Sequence, residues 1–116
     1  SDSVKRLNLP LLLYVRSGPE AALATEFRLN QNYPNPFNPS TTIAYEIPSE
    51  SDVALRVFNV LGEEVASLVH QRQERGVHSV QWNGVTATGM RCSSGVYFLQ
   101  MVAGSFVDVK RMILLK

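Results

Sequence analysis

Asn32-Tyr33-Pro34-Asn35-Pro36-Phe37-Asn38-Pro39, running on into Ser40-Thr41-Thr42-Ile43-Ala44-Tyr45-Glu46-Ile47-Pro48, decides how this chain folds. Pro34, Pro36 and Pro39 fix φ and donate no backbone hydrogen bond, which excludes helix and the middle of a sheet. Tyr33, Asn35 and Asn38 each precede a proline and are pushed to extended conformations. A segment so restricted has little entropy to lose on ordering. The expectation is a rigid strap closing one end of a β-sandwich, with Tyr33 and Phe37 as two pegs beneath it. Ile43, Tyr45 and Ile47 then alternate with Thr42, Ala44 and Glu46, the period of a half-buried strand.

Downstream the same alternation recurs. Val53, Leu55 and Val57 oppose Ala54, Arg56 and Phe58, after a turn at Pro48–Asp52. Asn59-Val60-Leu61-Gly62-Glu63 reads as a tight hairpin, with Gly62 suited to positive φ. On the return strand, Val65 and Leu68 break strict alternation and predict a bulge. A charged turn is expected at Gln71–Gly76, and a strand from Val77 to Trp82 places His78, Val80 and Trp82 on one face. Asn83–Arg91 is the longest loop and is expected to cross between sheets. Gly95–Val102 and Phe106–Leu115 are the last two strands. Short strands with turns every 8–12 residues indicate an all-β, immunoglobulin-like antiparallel sandwich of about seven strands. Trp82 and Tyr97 belong in its core, the Trp82 indole N–H on a backbone carbonyl.

Upstream, residues 1–26 read as the tail of a preceding domain plus a linker, and residues 27–116 as the sandwich. Leu7–Val15 is an apolar run interrupted by Pro10, which suits an edge strand. Lys5 and Arg6 before it and Ala22-Leu23-Ala24 after it give it a superficial likeness to a signal peptide, spoiled by Pro10, Arg16 and Glu20. Residues 7–15 are expected to add to a sheet edge of their own or of a neighbouring chain, giving a homo-oligomer.

The chain has 116 residues and a formal net charge of +1, one domain's length with no electrostatic case for nucleic acid. Cys92 is the only cysteine, so an internal disulfide and a cysteine zinc site are excluded. The histidines His70 and His78 offer Cys92 no third, orienting group. The aspartates are scattered, and Glu63 and Glu64 are adjacent rather than facing. No glycine cluster opens a helix for phosphate. The expectation is a non-catalytic module without metal, cofactor or small-molecule substrate. Phe58 is its best candidate for an exposed apolar contact.

Three pieces together carry a resemblance: Asn32–Ile43; Ser94-Gly95-Val96-Tyr97-Phe98; and Lys110-Arg111-Met112-Ile113-Leu114-Leu115-Lys116. In this order they resemble the type A C-terminal sorting domain of the type IX secretion system of Bacteroidota. Val57–Val65, Trp82-Asn83-Gly84 and Ser94–Tyr97 also resemble the immunoglobulin-like domain of the flagellar hook-capping protein. The first resemblance implies an address label on an exported cargo, which passes the periplasm and reaches the cell surface or the medium. It implies an outer-membrane translocon and a surface transpeptidase as partners. It places recognition on Gly95, Tyr97, Lys110, Arg111 and Lys116, where Arg111 stands in place of a commoner second lysine. Lys110 and Lys116 are expected to stay solvated and to mark a sandwich edge. The alternatives are a structural immunoglobulin-like assembly module and a carbohydrate-binding accessory module, the latter needing an exposed row of aromatics.

Overall fold

The computed structural model describes residues 24–116. Seven strands follow in order: β1 (Arg28–Leu29), β2 (Thr41–Ile47), β3 (Ser51–Phe58), β4 (Glu64–Gln73), β5 (Gly76–Trp82), β6 (Gly95–Ala103) and β7 (Phe106–Leu114). They build two antiparallel sheets, β1-β2-β5 and β4-β3-β6-β7. The result is the expected immunoglobulin-like sandwich. It differs from the constant-type arrangement in that β4 joins β3, so the larger sheet is the one holding the last strand. The crossing between sheets after β5 falls on the 83–94 loop, as expected. Residues 7–15 lie outside the described residues.

Sequence alternation becomes alternation of burial. Ile43, Tyr45, Ile47, Val53, Leu55 and Val57 are each at most 1% exposed. Leu99 and Met101 on β6 and Met112 and Leu114 on β7 complete the apolar layer. Trp82 is buried between Phe37, at 5.7 Å, and Tyr97, at 5.6 Å, and its Nε1 donates to the Val85 carbonyl at 2.9 Å. His78 stacks on Tyr45 at 5.4 Å on the half-buried face of β5.

The ladder departs from the sequence reading in three places. Val65 and Leu68 predict one bulge, and there are two. Leu55 pairs with Val69 and Arg56 with Ser67, leaving Leu68 over; Val57 pairs with Ala66 and Phe58 with Glu64, leaving Val65 over. The bulges turn Ala66 and Val69 inward. The expected turn at 71–76 shrinks, because Gln73 still pairs with Ser51. Polar residues are no obstacle to a strand at an exposed edge, and Arg72 is held there by Glu50 at 3.1 Å and Asp52 at 3.4 Å. β3 in turn begins at Ser51, opposite Gln73, its buried hydroxyl satisfied by donating to the Ser49 carbonyl at 2.9 Å.

The strap changes sheets. Tyr33 and Thr42 exchange two backbone bonds of 2.9 Å, continuing the β1–β2 pairing. By Phe37 the chain has left β2: Phe37 N donates to Ile113 O and Leu115 N to Phe37 O, each at 2.9 Å, parallel to β7. All three X–Pro bonds in the strap are cis. Asn32 is buried beneath, its amide donating to Thr41 Oγ1 at 2.9 Å and to the Pro34 carbonyl at 3.1 Å.

Phe37 is the peg expected from the sequence, 1% exposed, whereas Tyr33 is 81% exposed and is not one. Directly opposed residues of an antiparallel pair share a face. Tyr33 opposes Thr42, which points outward, so its ring points outward too. Phe37→Ala and Trp82→Ala are each expected to cost about 3–5 kcal/mol, largely unfolding a domain of this size. Tyr33→Ser should stay within about 0.5 kcal/mol of the parent. Denaturant unfolding followed by far-UV circular dichroism measures all three, and equal losses at Tyr33 and Phe37 would contradict this reading.

Candidate recognition site

The three stretches that carry the sequence resemblance converge at one end of the sandwich. On β6 and β7, Gly95 opposes Leu114, Tyr97 opposes Met112, Phe98 opposes Arg111 and Leu99 opposes Lys110. The strap lies along the other side of β7. Beyond the strand, Lys116 N donates to Ser94 Oγ at 3.0 Å, tying the last residue back to the start of β6. Gly95 has φ +148°, in the range L side chains rarely adopt, so glycine alone enters β6 there without strain. Tyr97 is buried, its ring edge on Trp82 and its hydroxyl donating to the Ser93 carbonyl at 2.7 Å. Phe37, Trp82 and Tyr97 thus form a row of rings from strap to β6.

The expected cations do not form one patch. Even-numbered β7 residues share the inward face with Met112 and Leu114, so Lys110 points inward and Arg111 outward. Lys110 is half-buried, with Nζ 3.7 Å from Asp108 Oδ2, in a cleft lined also by Arg28 and Asn30. Its expected full solvation is therefore corrected: the inward side of β7 is only partly covered opposite the short β1. Arg111 is exposed, as is Lys116. The sandwich edge that the two lysines were expected to mark is occupied by the strap.

Sequence reasoning missed the side chains that make this closure. Gln31 Nε2 donates to the Arg111 carbonyl at 2.7 Å, and the Ile113 amide donates to Asn35 Oδ1 at 2.9 Å. Prolines supply no donors, so the Gln31 carboxamide donates to β7 beside them, and the Asn35 carboxamide adds an acceptor. The legible signal was the density of Asn and Gln around the prolines.

A groove of about 230 Å³ opens beside this assembly, lined by Pro39, Gly84, Arg91, Cys92, Leu114 and Lys116. The Cys92 thiol is pushed up by burial, opposed by a hydrogen bond with Tyr97 and by the Lys116 charge. Burial also raises the Tyr97 phenol, and the neighbouring thiol adds to that. Burial raises the Tyr45 phenol, opposed by its hydrogen bond to Gln73. Each of these acids holds its proton more tightly folded than unfolded. Their stabilising contribution is therefore complete below the unfolded values, about 8.5 for thiol and about 10 for phenol, and is lost as pH rises through the folded ones. The melting temperature should fall on the alkaline side of this range, with Cys92→Ser removing the earliest part of the fall. Differential scanning calorimetry across the range checks it; a melting point rising with pH would be the contrary result.

The FlgD Ig-like domain family model matches residues 34–105, more than half of the chain. Among solved structures, a crystal structure of dimeric latent PorU from Porphyromonas gingivalis is similar, with a TM-score of 0.61 and 21% identity over 72% of this chain and 9% of that one. PorZ, an essential bacterial surface component of the type-IX secretion system of the same organism, is similar with a TM-score of 0.52 and 22% identity, over 86% of this chain and 13% of that one. This chain therefore spans only a small part of the length of either protein. No curated protein sequence matches it. The match over 34–105, on a two-sheet sandwich with the immunoglobulin strand pairing, places the chain in the family of FlgD Ig-like domains.

Proposed function

We propose that this is a secretion-sorting domain of the type IX system, without activity of its own. It would direct an exported cargo through the outer membrane to the cell surface, engaging the outer-membrane translocon and then a surface transpeptidase. One observation carries this reading. The three separated stretches that resemble the sorting-domain pattern, 32–43, 94–98 and 110–116, form a single unit held by the Phe37–Ile113–Leu115 bonds and the Gly95–Leu114 and Tyr97–Met112 pairs. A signal read by a translocon has to survive as a folded shape, and this unit presents Arg111 and Lys116 on a fixed frame. The likeness to domains within PorU and PorZ is consistent with such a setting.

A second reading is a structural immunoglobulin-like module that spaces or caps an assembly, favoured by the family match itself. It requires self-association, or association with a shaft-like partner, rather than export of a passenger.

The experiment is export of a fluorescent reporter fused ahead of the full chain, in a bacterium with the type IX system, read as fluorescence in medium against cells. The parent fusion should be exported. Arg111→Glu with Lys116→Glu, both at exposed positions, should block export while leaving the melting curve near that of the parent. Removal of residues 110–116 should block export with loss of fold, since it deletes half of the closing unit. A parent fusion retained in the cell would overturn the sorting reading. Normal export of the double glutamate variant would overturn recognition through these two cations.

A further inference from the structure

We propose that the outward face of β6 and β7 is a docking surface for a different protein, one that presents apolar side chains around a carboxylate. Antiparallel sandwich sheets put apolar residues inward and polar residues outward. The three-stranded sheet keeps closer to that rule, with Thr42, Glu46, Ser79 and Gln81 outside beside Ala44 and Val77. The four-stranded sheet breaks it. Across β3, β6 and β7 the outward rows read Ala54-Val102-Val107, Arg56-Gln100-Val109 and Phe58-Phe98-Arg111, and then Val96 beside Ile113. Val107 is 57% exposed and Val109 48%. Contiguous apolar surface of this kind marks interaction sites on soluble domains.

The manner of docking follows from the strap. A partner strand cannot add to β7 where the strap already takes its backbone groups, at Arg111, Ile113 and Leu115. At the other end Phe27 stacks on Phe106 at 5.3 Å and the Val109 amide donates to Asp108 Oδ1 at 2.8 Å, so part of the edge there is also engaged. What remains is the face, met side chain to side chain.

Charge selects the occupant. The rows contain two cations and no acid. Arg56 has Glu64 at 3.8 Å, but Arg111 has no salt-bridge partner among the described residues. A second copy meeting this face across a two-fold axis would bring the same patch against itself. Arg111 would face a copy of a surface whose nearest acid, Glu64 on β4, already sits beside Arg56, which disfavours a homodimer here. A different protein can supply the missing carboxylate, and an arginine among aromatic and aliphatic side chains is the composition of an interface centre.

The proposal rests on the sorting reading and names the surface the export machinery grips. In the reporter assay, Val107→Thr with Val109→Thr removes apolar contact at nearly constant shape, and Arg111→Glu reverses the lone charge. Each should lower export by at least about tenfold, with Arg111→Lys milder and melting curves near the parent's. Val77→Thr with Gln81→Lys, on the outward face of β5, should change nothing. If the parent is exported and the Val107/Val109 and Arg111 variants are exported equally well, the docking surface is wrong while the sorting reading stands. If the parent itself is not exported, both fall. Sedimentation velocity on the full chain distinguishes the occupants: a parent oligomer dissolved by Val107→Thr with Val109→Thr would show a second copy on this face and overturn the proposal. Binding of the parent to phosphatidylglycerol vesicles, lost in Arg111→Glu, would overturn it in favour of a lipid surface.

Discussion

The outer edge of β7 is the constraint on which this structure turns. A last strand in an antiparallel sheet leaves a row of backbone donors and acceptors unpaired, a hazard that proteins close in one way or another. Here the closure is made by the segment just before β2. It pairs with β2 as far as Tyr33, crosses between the sheets, and pairs with β7 from Phe37. One short stretch therefore seals both sheets at the same end. Its prolines suit the task, because they hold the chain extended and demand no partners of their own. The Asn32 and Gln31 carboxamides donate the bonds that the prolines cannot, and the Asn35 carboxamide oxygen accepts from the Ile113 amide.

The seal has consequences for packing. Phe37 enters the core only because the chain has crossed, and it lands against Trp82, which leans on Tyr97. Strap, β5 and β6 become one aromatic unit, with β7 clasped between strap and β6. The neighbourhood of Cys92 and Lys116 inherits its shape from this unit. Whatever reads this end of the domain meets a rigid object, with its edge already used and its outward face open.

Much of this was legible from residue alternation alone. Ile43-Tyr45-Ile47 and Val53-Leu55-Val57 announce their faces because a period of two has no other reading in a short segment bounded by turns. The fate of Tyr33 was not legible. It depends on register against Thr42, a long-range fact, whereas Phe37 and Tyr33 look alike as aromatics beside prolines. The extent of β4 was hidden too, since an exposed edge strand such as Gln71-Arg72-Gln73 has the composition of a turn. At the candidate site, sequence reasoning named Gly95, Tyr97 and the cations, and had Lys110 and Lys116 mark one sandwich edge. Adjacent residues on a strand point opposite ways, so Lys110 and Arg111 were bound to separate once β7 formed. The closing carboxamides escaped notice because their partners lie about eighty residues away.

Amide hydrogen exchange tests the closure most directly. Native-state exchange reports which backbone groups are held and how they open together. The amides of Phe37, Ile113 and Leu115 should exchange as slowly as the ladder amides between β6 and β7. In Asn35→Ala, Ile113 should quicken while the β2–β5 ladder is unchanged. If those three amides instead exchange at the rate of an unprotected peptide while β6 stays protected, the strap does not seal β7. The last strand would then present a bare edge, open to strand addition, and face-to-face docking would lose its physical basis.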